Sequence, residues 1–103
     1  MPFNLNNKFR ASIDLICVLD ISGSMSGKKM KLLKATVTSI VDALQDIDRL
    51  AIVTFNHKAQ RLTALKKLTP QNKSSIIDQV SQMKAKGETN IAHAMDVAFA
   101  IID

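Results

Sequence analysis

Apolar and polar residues follow one another along the chain in blocks that predict strands and helices in alternation. A near-continuous apolar run from Ile13 to Asp20 is typical of a strand buried on both faces, and a second run covers Arg49 to Phe55. Between the two runs, apolar residues recur at steps of three and four from about Lys28 to Gln45, which predicts an amphipathic helix. A strand, a helix and a strand in this order form a right-handed crossover with parallel strands.

The second half of the chain predicts one more strand and two more helices. Only three residues separate the second strand from the apolar segment Ala59 to Leu65, which is too short for a crossover, so this segment is expected to return as an antiparallel edge strand. Thr69-Pro70 is typical of a helix start, and Gly87 is expected just beyond the end of that helix. A last helix follows Thr89-Asn90. Its predicted apolar face comprises Ile91, Ala94, Met95, Ala98, Phe99 and Ile102. The expected fold class is α/β: a Rossmann-like, open, mostly parallel sheet with an antiparallel edge strand and helices on both faces.

Composition sets limits on partners and on location. The 103 residues allow one domain, which we divide into a polar leader over 1–12 and a folded part over 13–103. The chain has four Phe and no Trp or Tyr, which argues against binding of single-stranded nucleic acid by base stacking. The net charge of +5 includes a lysine-rich helix surface, which we interpret as solvated rather than as a nucleic-acid or membrane patch.

No apolar run approaches the roughly 20 residues of a membrane span. With a single cysteine, Cys17, a disulfide framework is excluded, and we expect a soluble, cytoplasmic protein.

The candidate chemistry lies where the first strand ends. Asp20, Ser22 and Ser24 are spaced at i, i+2 and i+4, and in an extended backbone this spacing directs three oxygen-bearing side chains to one side. One carboxylate with two hydroxyls suits a hard cation that keeps some water, above all Mg²⁺, better than it suits Zn²⁺. A polar turn that caps the following helix is the alternative interpretation of the same residues.

The signature Asp-x-Ser-Gly-Ser after a hydrophobic strand resembles the metal-ion-dependent adhesion site (MIDAS) of von Willebrand factor type A domains. Two further segments carry the resemblance: Gly87-Glu88-Thr89-Asn90, and the run from Asp48 to Phe55. The resemblance implies that Ser22, Ser24 and Thr89 ligate the cation directly and that Asp20 acts through water. The family also takes an aspartate from a third loop, after a further strand, so residues 13–103 are expected to be the N-terminal part of such a domain, truncated before its fourth core strand.

The resemblance implies a non-enzymatic protein-binding module, in which a weakly bound Mg²⁺ or Mn²⁺ accepts a Glu or Asp of the partner protein. A metal-free scaffold that uses a helix face or a sheet edge is the alternative. A phosphotransferase of the haloacid dehalogenase type is third, but it would need a second aspartate where Ser22 stands. A phosphate-binding P-loop is disfavoured because its glycine spacing and its Ser or Thr after the lysine are missing. We also expect self-association through an exposed edge of the sheet.

Overall fold

The described part of the protein, residues 11–102 of a computed structural model, contains one three-stranded mixed sheet. Strand β1 (Asp14–Asp20) pairs in parallel with β2 (Arg49–Phe55), and β2 pairs antiparallel with β3 (Ala59–Lys67), so the order is β1-β2-β3. This arrangement confirms the predicted parallel pair and the antiparallel return. The leader expected over residues 1–12 lies almost wholly outside the described residues.

Helices cover both faces of the sheet. Helices α1 (Lys28–Ala43) and α2 (Pro70–Ser81) pack together against the face that carries Leu50 and Ile52. Helix α3 (Ile91–Ile102) packs on β2 and β3 from the other face, where Ala51 and Val53 point because side chains alternate along a strand. The α/β fold class predicted from the sequence is therefore confirmed. The fully buried large side chains of the core are Val37, Val41, Leu44, Leu50, Ile52, Val53, Leu68, Ile76 and Val80.

Several element boundaries differ from the predicted ones. Helix α1 begins at Lys28, since Gly27 has a φ of 81°, and it ends at Ala43 rather than near Gln45 because Leu44 is extended. Helix α2 starts as predicted, with Thr69 Oγ1 accepting a hydrogen bond from the Asn72 N–H at 3.2 Å. It ends at Ser81, so the prediction that Gly87 lies just beyond it was wrong.

Burial contradicts two further expectations. We predicted β1 as an interior strand, yet only Leu19 of β1 is buried, because within residues 11–102 β1 pairs with β2 alone. The central strand is β2, and all its residues from Leu50 to Phe55 are buried. We also predicted one apolar face on α3, but only its alanines, Ala94 and Ala98, are buried. The larger members of that face are exposed: Ile91, Met95, Phe99 and Ile102.

No helix within the described residues is both long enough and apolar enough to span a bilayer.

Candidate functional site

The loop after β1 folds back on itself through its own side chains. Asp20 Oδ1 accepts a hydrogen bond from the Ser22 N–H at 2.8 Å, which is the local turn that a short carboxylate favours. The Ser22 and Ser24 hydroxyl oxygens lie 3.1 Å apart. Ser22 is only 2% exposed, whereas Asp20 and Ser24 are more accessible. The two predicted hydroxyls therefore face each other beside the end of β1.

The backbone of this loop differs from the extended one that we expected. Residues Gly23–Met25 form a single 3₁₀ turn, with the Met25 N–H donating to the Ser22 carbonyl at 2.9 Å. The turn, rather than an alternating strand geometry, directs Ser22 and Ser24 toward one another. It also orients the chain toward the start of α1 at Lys28.

A second loop, between α2 and α3, docks on the first through backbone hydrogen bonds. The Gly23 N–H donates to the Gly87 carbonyl at 2.9 Å, and the Lys86 N–H donates to the Ile21 carbonyl at 2.8 Å. Thr89 follows two residues after Gly87 and is exposed. The structure thus joins the loops that carry Asp20 and Thr89, two segments about 70 residues apart in the sequence.

Gly87 fits this junction because it has no side chain. Its φ is 83°, in the left-handed region that residues with a Cβ avoid. A Cβ placed there would lie 3.3 Å from His57 Nδ1 and 3.4 Å from Asn56 Nδ2. The Asn90 side chain then caps α3, since Asn90 Oδ1 accepts from the His93 N–H at 3.0 Å. Thr89 is therefore held between a glycine turn and a helix cap.

Asn56 is a site residue that our reading of the sequence missed. It is buried at the end of β2, and its Nδ2 donates to the Lys86 carbonyl at 3.0 Å, which anchors the second loop to the sheet. The signal was present, because Asn56 directly follows a buried strand at the same sheet edge as Asp20. His57 and His93 are exposed but take part in this junction: Asn90 Nδ2 donates to the His57 carbonyl at 3.4 Å, and the Ala59 N–H donates to His93 Nδ1 at 2.8 Å.

The donor set around this loop is rich in hydroxyls and poor in charge. Within residues 11–102, no group of three His, Cys, Asp or Glu side chains is placed to hold a metal ion. The sulfur and imidazole ligands that Zn²⁺ prefers are thus not gathered at this loop. One carboxylate beside paired hydroxyls fits a hard cation such as Mg²⁺, which binds few protein groups and retains water.

Comparison with known proteins gives the family. The family model of the von Willebrand factor type A domain matches residues 15–103. The chain belongs to this family. The match runs from β1 across both loops of the candidate site and includes every strand and helix of the described fold.

Its relatives are much longer proteins of varied kinds. The chain is 38% identical over 66 residues to the E3 ubiquitin-protein ligase WAVH1 of Arabidopsis thaliana, which covers 64% of this chain and 10% of that protein. It is 36% identical over 89 residues to the human voltage-dependent calcium channel subunit alpha-2/delta-2, covering 84% of this chain and 8% of the relative. The chain therefore spans about a tenth of the length of these relatives.

A solved structure provides a likeness in fold. Proximal thread matrix protein 1 from the mussel byssus, solved with a zinc-occupied MIDAS motif, matches with a TM-score of 0.73 and 25% identity. The match covers 85% of this chain and 24% of the mussel protein. In that relative the motif holds a metal ion.

Proposed function

We propose that this domain is a divalent-cation-dependent protein-binding module. Asp20, Ser22, Ser24 and Thr89 are the proposed metal residues. The observation that supports this function most directly is the docking of the two loops through the hydrogen bond from the Gly23 N–H to the Gly87 carbonyl. This contact brings the segment with Thr89 to the loop in which the Ser22 and Ser24 hydroxyls already face each other.

In the proposed site each residue has a defined task. The Ser22 and Ser24 hydroxyls and the Thr89 hydroxyl are the direct ligands, and Asp20 orients the loop through its bond to the Ser22 N–H and supplies the negative charge. The bound cation supplies a concentrated positive charge that attracts a Glu or Asp carboxylate of a partner protein. Mg²⁺ and Mn²⁺ are the proposed cations, since the donors are all oxygens.

The proposed module is not an enzyme. Asp20 already accepts the Ser22 N–H, and the position two residues later, where a phosphotransferase needs an acid, is occupied by a nearly buried serine hydroxyl. The relatives include proteins named as ligases, but the chain spans about a tenth of such a protein. Whole-protein activities of those relatives are therefore not carried over to this domain.

A metal-free scaffold is the second candidate, and the exposed apolar residues of α3 favour it. Phe99 and Ile102 are 56% and 68% exposed, which is unusual for large side chains on a predicted core face. A surface of this kind can bind another protein without a cation.

We further propose an intracellular location, because the one cysteine of the chain is a free thiol.

Calorimetric titration with Mg²⁺ tests the proposal. Because one carboxylate offsets little of the cost of dehydrating Mg²⁺, we expect a dissociation constant on the order of millimolar. Asp20→Ala should abolish the heat signal, whereas Asp42→Ala, which removes an exposed carboxylate from α1, should leave it unchanged. Binding that survives Asp20→Ala, or no binding to the unaltered protein, would rule out the proposed metal site.

A further inference from the structure

A second cleft opens at the same edge of the sheet, and none of the four proposed metal residues lines it. The cleft has a volume of about 350 Å³, near the lower end of the range for small-ligand sites. We call it the Lys58–Lys86 cleft. Its lining residues are Ile21, Thr54, Asn56, His57, Lys58, Gln60 and Lys86. The cleft adjoins the proposed metal loop, since Ile21, which lines the cleft, lies between Asp20 and Ser22.

The charge of this cleft has one sign. Lys58 and Lys86 line it, no acidic residue does, and among the described residues neither lysine forms an ion pair with a carboxylate. Both lysine side chains are exposed, while Thr54 and Asn56 form a buried floor. A concave surface with charges of one sign focuses its field and attracts ions of the opposite sign.

A single buried side chain fixes the backbone of both lysines. Asn56 Nδ2 donates to the Lys86 carbonyl at 3.0 Å, and Asn56 Oδ1 accepts from the Lys58 N–H at 3.4 Å. The Asn56 N–H also donates to the Lys58 carbonyl at 3.1 Å, and the Lys86 N–H donates to Ile21. The backbones of the two lysines are therefore fixed on the two sides of Asn56. This reduces the conformational entropy that the protein loses when it binds an anion.

We propose that the Lys58–Lys86 cleft binds the carboxylates of an acidic peptide segment and acts as a second subsite for the partner. Lysine ammonium groups form charge-assisted hydrogen bonds with carboxylates. In the partner, one acidic residue would bind at the metal and another would bind in this cleft. The role as a second subsite rests on the proposed function, whereas binding of acidic peptides in the cleft does not require the metal.

Binding of a labelled hexaglutamate peptide, measured by fluorescence anisotropy in EDTA and again in Mg²⁺, tests the cleft. The variant Lys58→Gln/Lys86→Gln should weaken binding in EDTA by about 4- to 16-fold, because each exposed ion pair contributes about a 2- to 4-fold change in affinity. The matched control is Lys66→Gln/Lys67→Gln, which removes the same charge from exposed positions at the opposite end of β3. It should change binding by less than about 2-fold.

The outcomes separate the cleft from the metal site. An equal loss of peptide affinity in the two double variants would show that net charge alone causes the effect, and it would overturn the proposal. An absence of peptide binding in EDTA would also overturn it. Displacement of the peptide by an equal concentration of inorganic phosphate would show a phosphate site and overturn the carboxylate assignment. If the cleft variant weakens binding in EDTA but Mg²⁺ adds nothing, the cleft stands and the proposed metal function fails.

Discussion

At the residue scale, Gly87 is the position on which the geometry of the two loops most depends. Gly87→Ala places a Cβ at a φ of 83° and 3.3 Å from His57 Nδ1, so we expect a loss of about 1–2 kcal/mol in the free energy of unfolding. Urea denaturation measures this loss. Gly23→Ala is the matched control on the facing loop, since its Cβ would lie in ordinary contact, 3.7 Å from the Gly87 carbonyl oxygen. Equal stability of the two variants would contradict the strain that we assign to Gly87.

The sequence predicted the residues of the candidate site better than it predicted their surroundings. Asp20, Ser22 and Ser24 were found from spacing and Thr89 from a resemblance, and the structure brings their loops together. The position of Asn56 directly after a buried strand was visible in the sequence, but its contact to Lys86 was not. That contact joins residues 30 positions apart, and a long-range contact of this kind has no local pattern.

At the element scale, the turn between α1 and β2 is stabilised by one buried carboxylate. Asp48 is fully buried, and it accepts hydrogen bonds from the Gln45 N–H at 2.7 Å and from the Ile13 N–H at 2.8 Å. It thereby ties the end of α1 to the start of β1. Asp48→Ala removes the acceptor of both groups, and we expect a loss of about 3 kcal/mol in the free energy of unfolding.

Thermal or urea unfolding of Asp48→Ala beside Asp46→Ala measures this contribution. Asp46 is an exposed carboxylate in the same turn, so its removal should change stability by less than about 0.5 kcal/mol. A similar small effect for both variants would show that the buried carboxylate does not stabilise the turn.

The type of each strand and helix and the pairing of the strands were predictable, but the burial of each strand was not. Continuous hydrophobicity predicted β1 as a strand buried on both faces, whereas among the described strands β2 is the central and most buried one. Hydrophobic pattern reports how much surface a strand can bury, and the number of its neighbours depends on the rest of the fold. The same dependence on the rest of the fold explains the uneven burial of α3. Its periodic apolar residues include both buried alanines and exposed large side chains.

At the scale of the whole molecule, apolar surface on one face predicts self-association of the 103-residue chain. The outer edge of β1 has no strand partner within the described residues, and an open cleft of about 570 Å³ between the sheet and the end of α3 is lined in part by Ile16, Leu65 and Ile101. The exposed face of α3, with Phe99, continues this surface. Unpaired edges and large apolar patches both recruit further chains.

Sedimentation velocity over a range of concentrations measures this association. We expect a sedimentation coefficient that rises with concentration, and Phe99→Glu should shift the protein toward monomer. Leu32→Glu is the control, since Leu32 is 70% exposed on α1, away from this surface. A monomer at every concentration would contradict the prediction.

The measurement that tests the proposed metal site most directly is paramagnetic broadening of backbone amide signals by Mn²⁺. We predict that substoichiometric Mn²⁺ selectively broadens the amides of Ser22, Ser24 and Thr89 together, because the two loops are joined at Gly23 and Gly87. Excess Mg²⁺ should restore these signals, and Asp20→Ala should prevent the broadening. Broadening confined to amides near exposed carboxylates elsewhere, such as Asp42 and Asp78, with both loops unaffected, would show that the cation does not bind at these loops.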